Sequence, residues 1–221
     1  MCGRYSLGKT DCVDWGGFGV APVPGLVPHW NIAPGSEVVA VRASTRGREV
    51  VLLRWGLIPI WAKDPSIGNR LVNARAESAH TTPAFRDAFA ARRCLLPADG
   101  FYEWQVVPGQ KRKQPWRIAA LDGGTLALGA LWESWRDPAG GTRDTCTILT
   151  VPVNDALREI HDRMPVIIGP RNYGSWLAVD SPIEQARALC RPAPNAALQA
   201  WRISMEINAA VNDGESVVIP L

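Results

Sequence analysis

The 221-residue sequence lacks several features that would assign it to a membrane, secreted or metal-binding class. It contains no run of about 18 apolar residues, so no transmembrane helix is expected. The start of the chain has no basic segment followed by an apolar run, so a secretory signal is not expected either. No C-x-x-C or H-x-x-x-H pair occurs, and we predict neither a metal site nor a cofactor. These absences favour a cytoplasmic protein.

Lysine and histidine are scarce, whereas arginine and tryptophan are not. Only four of the 24 basic residues are lysines, and there are three histidines. Arginine binds phosphates through two parallel hydrogen bonds and stacks on flat rings. Ten tryptophans are present, and exposed tryptophan beside arginine is typical of surfaces that bind single-stranded nucleic acid. The net charge of +3 excludes a histone-like polycation, and the five scattered cysteines indicate reduced thiols.

The chain length and the order of apolar patterns predict a single α+β domain over residues 1–221. Strands come mostly in succession and helices interrupt late, which favours a largely antiparallel β-sheet or open barrel with peripheral helices. Alternating or β-rich runs predict strands at 38–43, 49–55, 93–97, 100–107, 115–121, 126–133 and 145–151. Helical patterns cover 83–92, 153–160, 170–178 and 183–190.

Two local signals refine this interpretation. The segment VVPGQKRKQPW is typical of a hairpin whose tip carries the basic run 111–113. Asn154 is a candidate N-cap for the helix predicted at 153–160.

The chain begins MCGRYSLG, and Cys2 becomes the first residue if Met1 is removed. Its α-amine and thiol then stand on adjacent carbons. This 1,2-aminothiol is a group that no internal residue can offer. From these letters alone, an accident of sequence is an equal alternative.

Three internal stretches concentrate polar residues. In LVNARAES, Asn73, Arg75 and Glu77 share one side of an extended chain, either as a functional face or as a solvated surface turn. In CLLPADGFYEWQ, Glu103 lies between two aromatic residues, where burial would raise its pKa and suit it to acid–base work. The alternative places Glu103 on a solvent-exposed strand face together with Phe101.

The third stretch, EIHDRMPVII, puts His161, Asp162 and Arg163 at the predicted end of a helix. Histidine titrates near neutral pH, so His161 is a candidate proton shuttle, although a lone histidine is often structural. Together the four stretches offer a nucleophile, an acid or base, an anchor and a proton shuttle.

Six blocks in order resemble the SRAP (SOS-response-associated peptidase) family of abasic-site processing proteins. They are MCGRY, WNIAPG, RWGLIPIWAKD, NARAES, CLLPADGFYEW and IHDRMPVI, and the closing SMEINAAVNDGESVVIP is similar to the family's tail. The resemblance implies the SRAP fold and a sensor of abasic sites in single-stranded DNA. It implies that the Cys2 amine and thiol close a thiazolidine ring on the sugar aldehyde, shielding the lesion from strand cleavage.

The resemblance also implies roles for individual residues. The catalytic set is Cys2, Asn73, Glu103 and His161. Expected DNA contacts are Arg4, Pro34, Trp61, Arg75, Trp104, Thr150 and Arg163. Cations such as Arg4 are expected to lower the pKa of the Cys2 amine and thiol. The sequence departs from the family at the aromatic wedge, where Ile60 precedes Trp61.

The resemblance further implies a cytoplasmic, nucleoid-associated monomer whose partner is abasic single-stranded DNA, with replication-fork proteins as further candidates. Its chemistry is lyase-like, although the family carries the name of a peptidase. Autoproteolysis or initiator-methionine processing would expose Cys2. Three alternatives stay open: an N-terminal-nucleophile amidotransferase, a Cys/His peptidase that acts on other proteins, and a non-catalytic DNA-binding module.

Overall fold

The computed structural model of the protein describes residues 2–138 and 140–221. Within these residues the chain forms twelve β-strands and five short α-helices, joined by turns and short 3₁₀ helices. The strands are β1 (Tyr5–Leu7), β2 (His29–Ile32), β3 (Glu37–Ser44), β4 (Gly47–Trp55), β5 (Asn73–Arg75), β6 (Arg93–Ala98), β7 (Gly100–Gln105), β8 (Gln114–Ala120), β9 (Leu126–Arg136), β10 (Thr142–Pro152), β11 (Arg163–Pro165) and β12 (Leu198–Arg202). The α-helices are α1 (Trp15–Phe18), α2 (Ala76–Ala79), α3 (Arg86–Ala91), α4 (Tyr173–Leu177) and α5 (Ile183–Leu189).

The strands form an open sheet and a closed ring. The open sheet has the order β12-β8-β7-β1-β2 with antiparallel pairings throughout. In the ring, β4, β3, β6, β9 and β10 pair in that order, and a parallel pairing of β10 with β4 completes it. The α+β, largely antiparallel fold predicted from the sequence is confirmed. The ring closes because both edges of the long strand β10 are paired, with β9 then β11 on one side and β4 then β5 on the other.

All seven predicted strands are present, as is the β7–β8 hairpin, whose last paired residues are Gln105 and Gln114. Of the predicted helices, 183–190 is confirmed as α5, and 83–92 and 170–178 are shorter than expected. The helix predicted at 153–160 is wrong, because this segment forms only a 3₁₀ turn over Asp155–Leu157. Asn154 does cap that turn, since its side chain accepts a hydrogen bond from the Leu157 N–H.

The two layers share one main core of buried apolar side chains, contributed by the open sheet and by the ring. Strand β1 lies in the middle of the open sheet, between β2 and β7. Its Tyr5 packs edge-on against Trp55 of β4, with the ring centroids 5.5 Å apart. Gly8 follows at a close approach, where an added Cβ would lie 2.3 Å from the Trp30 ring. These contacts fix the segment that carries Cys2 at the junction of the two layers.

A buried ion pair anchors β1 on its other side. Asp99 accepts hydrogen bonds from the backbone N–H groups of Gly8 (2.6 Å) and Lys9 (2.7 Å), and from the Ser6 hydroxyl. Arg117 donates to the Asp99 carboxylate at 2.8 Å, and both side chains are less than a tenth exposed. A buried charge is tolerated only while its partner is present. The pair therefore holds β1 in register with β7 and β8.

Replacing Asp99 with Ala is expected to destabilise the protein by about 3–5 kcal/mol, because the Arg117 charge is then buried without a counter-ion. Chemical denaturation measures the free energy of unfolding. Asp155→Ala is the matched control, because it removes an exposed ion pair with Arg158 and should cost under about 1 kcal/mol. A loss for Asp99→Ala as small as the control's would contradict the anchoring role.

Candidate active site around Cys2

Cys2 lies fully buried in the core, and its surroundings come from three separate parts of the chain. Its backbone carbonyl accepts a hydrogen bond of 2.8 Å from Asn73 Nδ2. Asn73 begins β5, which exists because β10 pairs with it in parallel. Asn73 Oδ1 is buried and has no hydrogen-bond partner among the described residues, so it is a ready acceptor for a ligand hydroxyl.

Glu103 lies on β7, the strand that pairs directly with β1. It is 3% exposed, and Phe101 on the same strand face is fully buried, so the alternative of a solvent-exposed strand face is wrong. Burial raises the pKa of Glu103 to about 7; the charge of Asp162 adds to this and that of Lys113 opposes it. A carboxyl with this pKa exchanges protons readily at neutral pH.

His161 faces Glu103 across the site, with 3.5 Å between Nε2 and Oε2. Its Nδ1 accepts the backbone N–H of Arg163 at 3.1 Å and also lies 2.8 Å from the exposed carboxylate of Asp162. The Arg163 amide donates to Nδ1, whereas the Asp162 carboxylate accepts a proton from it, so the two contacts favour opposite protonation states of Nδ1 in the neutral ring. Burial lowers the pKa of His161, which favours this neutral form.

Burial is the largest influence on the pKa of the Cys2 thiol. Burial raises its pKa, and the negative charge of Glu103 raises it further. The expectation that Arg4 lowers the thiol pKa is therefore wrong. The Arg4 guanidinium instead donates to Asn31 Oδ1 (2.6 Å) and to the carbonyl of Ile207 (3.1 Å). Cys2 is thus held as a neutral thiol beside a carboxyl group.

Arg163 and Thr150 lie on neighbouring strands beside the site. Arg163 donates to the Thr150 hydroxyl (3.2 Å) and carbonyl (2.7 Å). It also makes two hydrogen bonds of 2.9 and 2.8 Å to the Glu77 carboxylate, which lowers the pKa of Glu77. Glu77 thus lies in α2, facing Arg163, rather than continuing an extended strand. Arg75, opposite Thr150 in the parallel pairing, is exposed to solvent.

The remaining DNA-contact candidates lie further from this cluster or serve the fold. Trp61 is 56% exposed and its indole N–H points to the carbonyl of Pro83 at 3.4 Å, while Ile60 beside it is 59% exposed. Pro34 is also exposed. Trp104 is half-buried and donates to Asn208 Oδ1 at 2.7 Å. In the part of the chain that the structure describes, no hydrogen bond or ion pair joins these side chains to Cys2, Glu103 or His161.

Sequence reasoning missed the role of Asn31, which fastens the closing segment of the chain beside the site. Asn31 Nδ2 donates to the carbonyls of Ile207 (3.2 Å), Ala209 (3.0 Å) and Asn212 (2.9 Å). Asp213 in turn accepts the backbone N–H of Asn31 at 2.6 Å. The signal was present in the two blocks WNIAPG and SMEINAAVNDG, which meet here. Because Arg4 bonds to the same Asn31, the closing segment also fixes the position of Arg4.

A cavity of about 690 Å³ lies elsewhere, between residues 20–27 and strands β3 and β4. Its walls are mainly aliphatic and it contains none of the clustered polar groups, so it is not the reaction site. Among residues 2–138 and 140–221, no three histidine, cysteine or acidic side chains converge as metal ligands. Within the same residues, every helix is too short or too polar to cross a membrane.

Comparisons with known proteins are consistent with one family. The family model for SOS response-associated peptidase (SRAP) matches residues 1–210. The abasic site processing protein YoqW of Bacillus subtilis is 34% identical over 99% of both chains. The abasic site processing protein HMCES of Gallus gallus is 31% identical, covering 88% of this chain and 66% of its own.

Solved structures agree with this fold. A protein from Bordetella bronchiseptica is 28% identical with a TM-score of 0.78, covering 92% of this chain and all of its own. A protein from Bacteroides thetaiotaomicron, 22% identical, shares the fold along the full length of both chains with a TM-score of 0.87. On the family match and the relatives above, the chain belongs to the SOS response-associated peptidase (SRAP) family.

Proposed function

We propose that this protein captures abasic sites in single-stranded DNA by forming a covalent thiazolidine through Cys2. Its curated relatives carry the name abasic site processing protein, which supports the substrate. The observation that carries the chemistry is the buried cluster of a thiol, a carboxyl of raised pKa, a neutral imidazole and an anchoring amide. These groups meet at the second residue of the chain, where a 1,2-aminothiol can be exposed.

The reaction needs only this aminothiol and the aldehyde of the open abasic sugar. After removal of Met1, which lies outside the described residues, the Cys2 amine adds to the aldehyde carbon, and loss of water gives a Schiff base. The thiol then adds to the same carbon, and its proton passes to the nitrogen. One C–N and one C–S bond form, the C=O bond breaks, and one water leaves.

Glu103 and His161 move the protons of this sequence. With a pKa of about 7, Glu103 accepts a proton from the sugar hydroxyl or the amine and returns it to the leaving hydroxyl. His161 Nε2 lies 3.5 Å from Glu103 Oε2, so the two groups are placed to exchange protons. Asn73 fixes the Cys2 carbonyl and offers its free Oδ1 to the sugar. Each group thus acts at a different atom of the adduct.

We assign the DNA phosphates to arginines beside the site. Arg75 is exposed two residues after Asn73, and Arg163 bonds to Thr150 and to the Glu77 carboxylate, which a phosphate would have to displace. Arg4 is fastened to Asn31, so it offers a fixed charge rather than a mobile one. Trp61 is a stacking surface for a neighbouring base, and Pro34 and Trp104 border the same region. Phosphate binding of this kind predicts affinity that falls with salt.

The state of the thiol favours this function over a peptidase. A cysteine peptidase needs a thiolate, and therefore a thiol pKa that neighbouring positive charge has lowered. Here burial and Glu103 raise the pKa of Cys2 instead. An attack by the amine, followed by addition of the thiol to the imine, does not require a preformed thiolate.

A crosslinking assay tests the proposal. The protein is incubated with a single-stranded oligonucleotide carrying one abasic site and run on a denaturing gel. We expect a heat-stable shifted band whose mass is that of protein plus DNA minus one water. The same oligonucleotide with a tetrahydrofuran abasic analogue, which has no aldehyde, should give no shifted band. Absence of a heat-stable product with the true abasic site would contradict the proposal.

A further inference from the structure

The β7–β8 hairpin carries the densest positive charge near the site, and the proposed chemistry does not use it. We define the hairpin tip as residues 106–113. Lys111, Arg112 and Lys113 are exposed there, and no carboxylate occurs between residues 104 and 116. None of the three side chains forms an ion pair or a hydrogen bond within the described residues. Their charge equals the net charge of the whole chain, which is +3.

Several arginines outside the hairpin tip are paired with carboxylates. Arg42, Arg92, Arg117 and Arg163 each pair with a carboxylate at 2.8–3.0 Å. Three consecutive exposed cations with no carboxylate partner within the described residues concentrate positive potential at the hairpin tip, where a ligand or water meets it. The position of the hairpin tip relative to the reaction site shows whether this positive potential serves a ligand.

The hairpin tip is held beside the reaction site. Glu103 lies two residues before Gln105, the last paired residue of β7, a distance of about 7 Å along a strand. Gln105 Nε2 donates to the carbonyl of Glu159 at 2.9 Å, two residues before His161, and Gln105 Oε1 accepts from Trp116 at 3.0 Å. Burial is the larger influence on the pKa values of Glu103 and His161, and the charge of Lys113 lowers both. The positive charge therefore reaches the reacting groups.

The site lies between two sets of cations. Asn73 and Arg75 approach Cys2 from β5, with Arg163 nearby on β11. Glu103 lies beside Cys2 on β7, in the other sheet, and the hairpin tip continues from that strand. A polyanion whose reacting sugar lies at Cys2 would extend towards both sets.

We propose that the hairpin tip is a second phosphate-binding surface, which holds the DNA strand on one side of the abasic sugar while Arg75 of β5 holds the other side. This inference rests on the proposed function for the identity of the polyanion. Two lysines and an arginine on a flexible turn act as charges that neutralise phosphates without reading bases. The hairpin tip therefore adds affinity and salt dependence but no sequence preference.

Binding measurements with a stable abasic analogue test this directly. The variant K111A/R112A/K113A removes the three charges, and K111Q/R112Q/K113Q removes them while keeping long polar side chains. The matched control R46A/R171A/R191A removes three other exposed arginines, which make no ion pair within the described residues. Fluorescence anisotropy gives the Kd for single-stranded oligonucleotides with the tetrahydrofuran analogue at the centre, at the 5′ end or at the 3′ end. Thermal melting checks that all variants are folded.

We expect both hairpin variants to weaken binding of the central-site oligonucleotide about tenfold at low salt. The slope of log affinity against log salt should fall by about 2, because each phosphate contact on a single strand contributes roughly 0.7. With terminal sites the loss should appear for one polarity and not the other. The control should change affinity less than about twofold.

Three results would overturn the inference: unchanged affinity and slope, equal losses in the control, or equal losses for both terminal oligonucleotides. The last would indicate a general electrostatic effect rather than contact with one flank. Failure of the proposed function is separate, because it appears as absent crosslinking by the unmodified protein with a true abasic site. If that protein crosslinks and the salt slope does not change, the hairpin inference alone fails.

Discussion

Cys2→Ala is expected to abolish the heat-stable crosslink to abasic DNA completely. The variant keeps an amine at the same position but has no thiol, so the reaction stops at a Schiff base that hydrolyses. Cys2→Ser should behave in the same way, because we expect no stable ring closure through the serine hydroxyl. With either variant, borohydride should trap the imine as a covalent adduct on a denaturing gel. The thiol would then be required for ring closure and the amine for the first attack.

Controls separate the position of the cysteine from its presence. Cys12 is exposed, so Cys12→Ala tests whether an accessible thiol elsewhere contributes, and this variant should crosslink at the normal rate. One residue inserted before Cys2 makes its nitrogen an amide, and this variant should form no heat-stable adduct, because the terminal amine and the Cys2 thiol no longer stand on adjacent carbons. Heat-stable crosslinking by Cys2→Ala would show that another residue is the nucleophile.

The long strands of this fold could be predicted, whereas the short ones could not. Strands β9 and β10 each carry eleven residues of apolar and β-branched pattern, which is enough to reveal a period. Strands β5 and β11 have three residues each and no period of their own. They are strands because β10 offers them unpaired edges. The segment 153–160 failed as a helix for a related reason, since a single turn depends on tertiary contacts such as the bond from Asn154 to the carbonyl of Ala193.

For the site, the sequence could identify residue types but not their electrostatic state. Alternation predicts that Phe101 and Glu103 share a strand face, and only the packing of the second sheet shows that this face is buried. Arg4 is adjacent to Cys2 in sequence, which suggested a lowered thiol pKa. Its guanidinium instead binds Asn31, 27 residues away, and burial sets the pKa of the thiol. Long-range partners of this kind leave no local signal in one sequence.

Glu103→Gln should slow crosslinking by about 10²- to 10⁴-fold, the usual contribution of a positioned acid or base. The amide keeps the size of the side chain but cannot accept or release the proton. In the unmodified protein the rate should rise with pH through about 7, as Glu103 loses its proton. The variant should lose the inflection that Glu103 contributes and keep only that of the Cys2 α-amine, whose usual pKa is about 7.7–8.0. Single-turnover gels across pH 5–9 measure both effects, and anisotropy should show nearly unchanged affinity for the tetrahydrofuran analogue.

Glu159→Gln is the matched control, because Glu159 is exposed and lies two residues from His161. It should leave both the rate and the pH profile as they are. A Glu103→Gln variant that loses rate and DNA affinity in equal proportion would contradict an acid–base role.

The Glu103→Gln variant, which should crosslink more slowly, should be more stable than the unmodified protein above neutral pH. Because the pKa of Glu103 is raised from 4.5 when unfolded to about 7 when folded, the folded state is favoured below pH 4.5 and loses this advantage as the pH rises through 7. At pH 8 the buried carboxylate costs up to about 3 kcal/mol, a cost that Gln does not carry. Glu103→Gln should therefore be more stable than the unmodified protein at pH 8 and about equally stable at pH 4.5, as measured by chemical denaturation. A carboxyl group kept at this cost in stability is explained by its chemistry, whereas a structural residue would lose stability on substitution at every pH.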